Sequence, residues 1–103
     1  MISNTQSITL IETDKRISLY CPIGKDYYTA DVFMKFVPDE YYMDYIDLDT
    51  FLNRLSGLSL TIEDAADTIY QELQRYKPHK ANVMIEAFSN THLHAKVTKG
   101  ESI

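Results

Sequence analysis

The stretch TIEDAADTIYQELQRYKP, residues 61–78, decides the fold. Thr61 ahead of Ile62-Glu63-Asp64 has the form of a helix N-cap followed by an acidic first turn. A hydroxyl there accepts from free backbone N–H groups, and carboxylates suit the positive end of the helix dipole. Behind the cap, Ile62, Ala65, Ala66, Ile69, Tyr70, Leu73 and Tyr76 form one apolar stripe at helical spacing. The stripe predicts a helix that ends before Pro78. A shorter helix precedes it: Leu48, Phe51, Leu52 and Leu55 recur at i, i+3, i+4 and i+7 from about Asp47, with Asp47 and Asp49 as its caps, and Ser56-Gly57 stops it.

Strand patterns flank this helical pair. From Thr29 to Val37, Val32, Met34 and Phe36 alternate with Asp31, Phe33 and Lys35, and Pro38-Asp39 closes the run. Before it, Ser7 to Tyr20 is strand-like with a first turn signal at Asp14-Lys15. Cys21-Pro22 ends that run, and Gly24-Lys25-Asp26 reads as a turn. After the helices, Asn82 to Phe88 is β-rich, Ser89-Asn90 is a turn, and Thr91 to Thr98 alternates with Leu93, Ala95 and Val97 on one face. The order strand, strand, helix, helix, strand, strand predicts an α+β fold: a four-stranded antiparallel sheet with both helices on one face. Phe33 and Val37 then point to the other face, so a homo-oligomer is expected to cover it. Eight tyrosines and four phenylalanines point the same way.

At 103 residues there is room for one domain, 1–103, with one modest core. No apolar run is long enough to span a membrane and no basic segment leads into an apolar one, so a cytoplasmic protein without membrane attachment is expected. A single cysteine excludes an internal disulfide framework and a four-cysteine metal site. The net charge of −5 argues against general nucleic-acid binding. Residues 74–103 nevertheless carry Arg75, Lys77, Lys80, Lys96 and Lys99 against only Glu86 and Glu101. Those bases are a solvated surface or, gathered on one face, a contact for a phosphate backbone.

Cys21 sits at a strand end before a glycine turn, where a thiol can face a cleft and act as a nucleophile if a base or positive field is near. The alternative is a small buried hydrophobe. Glu63 in the first turn of the second helix can accept two hydrogen bonds from a ligand's N–H groups, or simply balance the helix dipole with Asp64. His92 and His94 leave one face of a strand and could join Cys21 at a zinc ion, although His-x-His alone is weak and no metal is assigned. Asp39-Glu40 reads as a solvated turn. On these residues alone the chain is a small α+β domain with a candidate reactive cysteine.

The stretch from Cys21 to Asp64 resembles the QueF family of nitrile reductases that act on 7-cyano-7-deazaguanine (preQ0), members of the tunnelling-fold superfamily. The resemblance rests on Cys21-Pro22-Ile23-Gly24-Lys25-Asp26, the strand Ala30 to Phe36, Pro38-Asp39-Glu40, and Ile62-Glu63-Asp64 where the family has His-Glu-Asp. Cys21, Pro38 and Glu63 fall in gapless register. Departures are specific. The family's Thr-Gly-Gln-Pro-Asp is missing, its catalytic aspartate falls on Tyr28, and Asp26 or Asp31 would have to substitute. The Glu-Ser-Lys-Ser stretch associated with NADPH is replaced by Asp44-Tyr45-Ile46-Asp47, where only Asp44 keeps an acid. This pattern is similar to the short QueF-like amidinotransferases that make archaeosine.

The resemblance implies a tunnelling-fold homo-oligomer with sites between subunits, Cys21 as thioimide-forming nucleophile, Asp26 as proton carrier, and Glu63 with Asp44 binding 7-cyano-7-deazaguanine, free or in tRNA or DNA. It implies no cofactor. The rivals are an NADPH-dependent reductase giving the aminomethyl product, a binding module that has lost its chemistry, and, more distantly, a zinc-dependent pterin or cyclohydrolase relative.

Overall fold

The computed structural model describes residues 1–88 and 93–103. Eight elements follow one another: β1 (Ile2–Ser3), β2 (Ile11–Cys21), β3 (Asp26–Val37), β4 (Tyr41–Tyr42), α1 (Tyr45–Leu55), α2 (Ile62–Gln74), β5 (Lys80–Phe88) and β6 (Ala95–Gly100). The main sheet is antiparallel in the order β2-β3-β5-β6, and the short β1 and β4 pair separately. The expected ββααββ order is therefore present, with a two-residue strand added at each of two further places.

One sheet face is apolar because side chains alternate along each strand. Ile17 and Leu19 of β2, Ala30, Val32, Met34 and Phe36 of β3, and Ala81, Val83 and Ile85 of β5 are all buried on it. Both helices cover this face, α1 against β2 and α2 against β5 and β6. From α1 come Leu48, Leu52 and Leu55, and from α2 Ala65, Ala66, Ile69 and Leu73. Fully burying a leucine or isoleucine side chain stabilises by about 1.5–3 kcal/mol. Midway along its length α2 is tied to β6 by Lys99, whose amine lies 3.3 Å from Asp67 Oδ1 and 5.6 Å from the centre of the Tyr70 ring.

The opposite face is not uniformly apolar. Arg16, Asp31, Glu86 and Lys96 lie side by side across the four strands. Arg16 holds Asp31 by two hydrogen bonds of 2.7 and 3.0 Å, and Lys96 reaches Glu86 at 3.3 Å. The bonds from Arg16 keep the Asp31 carboxyl below its usual range, against a smaller opposing effect of burial. Phe33 and Met84 are paired in the neighbouring row.

Several boundaries differ from the sequence expectation. Asp14-Lys15 is not a turn: β2 runs through it, with Asp14 opposite Phe33 and Lys15 opposite Val32. The polar pair is tolerated because Lys15 reaches Asp49 of α1 while Asp14 is exposed. β2 begins at Ile11 rather than Ser7 because Asn4 clasps Ile8 through both its backbone groups, at 2.9 and 3.1 Å, and holds the preceding chain in a loop. The hairpin loop is Pro22–Lys25, with Lys25 at φ 54°, and Asp26 already begins β3. β6 starts at Ala95, so Leu93 precedes the strand; the turn expected at Ser89-Asn90, and Thr91 and His92, lie outside the described residues.

Helix α1 starts at Tyr45, two residues earlier than the apolar spacing suggested. Its cap is Asp44, whose Oδ1 accepts from the Ile46 N–H at 2.7 Å. Asp47 lies in the first turn and Asp49 pairs with Lys15, so neither is the cap. No helix among the described residues is long and apolar enough to cross a membrane. Asp44→Ala is expected to lower stability by about 1 kcal/mol, and Asp44→Asn to recover most of it because asparagine caps as well. Urea unfolding monitored by circular dichroism checks both.

Candidate functional site

Cys21 is the last residue of β2 and faces the helix side of the sheet, in line with Ile17 and Leu19. Its register partner is Asp26, the first residue of β3, and two residues along β3 lies Tyr28, opposite Leu19. Period-two alternation therefore puts Cys21, Asp26 and Tyr28 on the same face. The loop between them is short, closed by the Lys25 N–H donating to the Cys21 carbonyl at 2.8 Å. It also turns the Gly24 N–H onto Cys21 Sγ at 3.3 Å, supplying a donor for charge that develops on sulfur. Cys21 is partly exposed, which departs from the buried small hydrophobe that was the alternative reading.

The fourth group comes from the helices. Beyond Leu55 the chain turns at Ser56-Gly57, where Gly57 has φ 87°, a left-handed conformation that glycine adopts without strain. The connector then runs along the open edge of β2. Gly57 N–H donates to Ser18 O (2.7 Å), Tyr20 N–H to Leu58 O (3.0 Å) and Leu60 N–H to Tyr20 O (2.9 Å). Thr61 then caps α2 as its sequence predicted, Oγ1 accepting from the Asp64 N–H at 3.1 Å. Glu63 follows in the first turn, exposed, where the helix dipole favours a carboxylate.

Together these elements enclose a cleft of about 330 Å³ that Cys21, Asp26, Tyr28, Thr61, Ile62 and Glu63 line. Ala87 and Ala95, register partners on β5 and β6, add two small side chains to its wall, and Phe88 closes one side. At the mouth, Ile23 is 80% exposed and Leu93 90%. The cleft thus offers a thiol, two carboxylates and largely apolar walls, the composition of a site for a small molecule with a few polar groups.

Tyr28 was singled out in the sequence only as the residue standing where an acid was expected. Its hydroxyl donates to Leu60 O at 2.6 Å. Burial raises its pKa to about 12, with the charges of Cys21, Glu63 and Asp64 adding to the rise. The phenol therefore keeps its proton at neutral pH. Asp26 Oδ1 accepts from the Tyr27 N–H at 2.8 Å, which fixes one carboxylate oxygen and leaves the other for a ligand or proton.

The remaining candidates fall elsewhere. Asp44 does not line the cleft: it caps α1, beyond the opposite end of β3, and its carboxylate is engaged by Ile46. Asp31, the other candidate substitute acid, is held by Arg16. The His94 ring stacks on Phe88, centroids 4.8 Å apart, with Nε2 3.4 Å from Glu86 Oε2. His92 lies outside the described residues, and among the described residues no three metal-ligating side chains gather. Asp39 and Glu40 are exposed, as expected, and Asp39 Oδ1 lies 3.2 Å from His79 Nε2. Ala87, Ala95 and Phe88 carried no site reading in the sequence, Ala95 having only a place on a strand face, because small and apolar residues on a strand carry no chemical signature.

No family profile matches the chain, and no curated protein matches it in sequence. Among solved structures, the crystal structure of the archaeosine synthase QueF-Like in the apo form is similar to it. The TM-score is 0.82, and the likeness covers 89% of this chain and 92% of that one at 15% sequence identity. At that identity the likeness is one of fold, and it extends over nearly the whole of both chains. The α+β tunnelling fold implied by the resemblance in residues 21–64 is the fold of this protein.

Proposed function

We propose that this protein is an enzyme of 7-deazaguanine nucleic-acid modification that forms a thioimide between Cys21 and the nitrile of 7-cyano-7-deazaguanine and converts it to an amidine. The observation that carries the reading is the convergence of Cys21, Asp26 and Glu63, from the ends of three different elements, on one cleft. The cleft volume falls within the roughly 300–1,000 Å³ common for small-molecule sites. The shared fold with an archaeosine synthase adds to it.

The chemistry is balanced without an oxidant or reductant. The Cys21 thiolate gives its electron pair to the nitrile carbon, forming the C–S bond. One π pair moves to nitrogen, which takes a proton to give the thioimide. Ammonia then adds to the same carbon and loses a proton, and the C–S bond breaks with its pair returning to sulfur. Nitrile plus ammonia has become amidine. Asp26, with one oxygen fixed by the Tyr27 N–H, carries the protons. Glu63 accepts from the N–H edge of the guanine-like ring through two charge-assisted hydrogen bonds. Tyr28 stays neutral and contributes no competing charge.

No cofactor is needed for this route. Where the resemblance would have the reductase's NADPH-associated residues, this chain has Asp44 capping a helix, followed by Tyr45 and Ile46. The functional unit we infer is a homo-oligomer in which a neighbouring subunit borders the cleft. Ile23 and Leu93, exposed at its mouth, support this, since large apolar side chains at a site's rim suit burial by a partner.

Intact-mass measurement after incubation with 7-cyano-7-deazaguanine tests the chemistry. Wild type gains one ligand mass and Cys21→Ala gains none; ammonia then releases amidine, whereas consumption of NADPH would replace amidination by reduction, and no adduct on wild type would overturn the reading. Sedimentation equilibrium is expected to give a mass several times the 11.9 kDa of one chain. Because the Tyr28 pKa is raised, the native state holds its proton more tightly than the unfolded state. That stability is present in full below pH 10 and is lost as pH rises from 10 towards about 12. In alkaline spectrophotometric titration, Tyr28→Phe is expected to remove the latest-ionising tyrosine.

A further inference from the structure

Two strands meet the connector that delivers Glu63, and they hold it in different ways. Along the edge of β2 the hold runs through the backbone groups of Ser18 and Tyr20, with the Ser56 hydroxyl also against Ser18 at 3.4 and 3.5 Å. A row of bonds along one edge resists a swing about that edge less than a slide along it, and the packing of half-buried Leu60 and Ile62 against the core shares that load. From β3 comes a single side-chain bond, the Tyr28 hydroxyl to the carbonyl of Leu60, at 2.6 Å. It lies off the β2 edge, so it opposes the swing. Leu60 immediately precedes the cap residue Thr61, and Thr61 fixes Asp64 at 3.1 Å. Between the tethered carbonyl and Glu63 there is therefore no free loop.

We propose that Tyr28 is a positioning residue for this cleft, its hydroxyl fixing the segment that carries Glu63 relative to the strand end that carries Cys21. The inference rests on the reading that Cys21 and Glu63 hold one ligand between them. A nucleophile and a recognition carboxylate on separate elements must keep their separation for a bound ring to present its electrophilic carbon to sulfur. β2 and β3 are locked in register around Cys21 and Asp26, so Tyr28 refers Glu63 to the same rigid hairpin that holds the thiol. The hydroxyl proton is committed to Leu60 O, so the residue acts through Glu63 rather than on the reacting atoms. Its neutrality up to about pH 12 keeps that proton in place across any working range.

Tyr28→Phe deletes the oxygen and keeps the ring in the cleft wall. Losing one net hydrogen bond of this kind is expected to raise the concentration of 7-cyano-7-deazaguanine that half-saturates adduct formation about tenfold. The limiting rate at saturation is expected to fall as well, because a ring bound at an altered separation presents its carbon to sulfur less well. Glu63→Gln raises the half-saturation concentration too, and the double variant adds little beyond the larger single effect, the non-additivity of residues that act as one unit. In the free protein, amide exchange at Leu60, Asp64 and Ala65 is expected to quicken about tenfold in Tyr28→Phe. Unchanged half-saturation, fully additive variants or unchanged exchange would each overturn the proposal. If wild type forms no adduct, the chemical reading fails, and the exchange measurement decides the tether by itself.

Discussion

The connector between the helices lies along the edge of β2, and the rest of the site depends on that placement. An edge strand presents unpaired N–H and C=O groups; residues 57–60 satisfy the Ser18 carbonyl and both groups of Tyr20, and the Ser56 hydroxyl accepts from the Ser18 N–H. The same bonds carry the chain past the end of β2 and start α2 beside the only cysteine. Had the connector been longer, or had α1 not stopped at Gly57, the first turn of α2 would open elsewhere over the sheet. The helix pair would still bury Leu52, Ile69 and Leu73, but Glu63 and Cys21 would share no cleft.

The cleft holds part of the pattern on which the resemblance rests. The thiol and the helix-borne glutamate that the resemblance singles out are both present in it, while the position of the family's aspartate holds Tyr28. A phenol bonded to a backbone carbonyl cannot do the work of an ionised acid. Asp26, the register partner of Cys21, is the carboxylate that the hairpin brings to the same face. Tyr28 at that position instead makes a bond that ties sheet to helix.

The sheet's outer face shows why charge patterns mislead when read along the chain. Asp14-Lys15-Arg16 looks like punctuation in a strand, yet each residue has its own reason to be there. Lys15 faces inward to Asp49, while Arg16 faces outward to Asp31 in a row that continues through Glu86 to Lys96. Those partners are distant in sequence, so no local pattern announces them. Asp44 is a similar case: its capping role depends on the chain direction after β4, which the period of the apolar residues behind it does not reveal.

Local chemistry by itself determined the element types and their order. The Thr61 cap, the stripe from Ile62 to Leu73, the alternation in β3 and the stop at Gly57 are short-range consequences of backbone periodicity, and all are present in the fold. It also marked Cys21 and Glu63 as able to do chemistry. Tertiary structure decided their conjunction. It gave Asp26 rather than Asp31 a place beside the thiol, set Asp44 apart as a cap, and added Ala87, Ala95 and Phe88 to the walls. The physical reason is that a cleft forms where several elements end together. Hydrogen bonds between residues far apart in the chain, such as Tyr28 to Leu60 and Leu60 to Tyr20, fix where those ends lie.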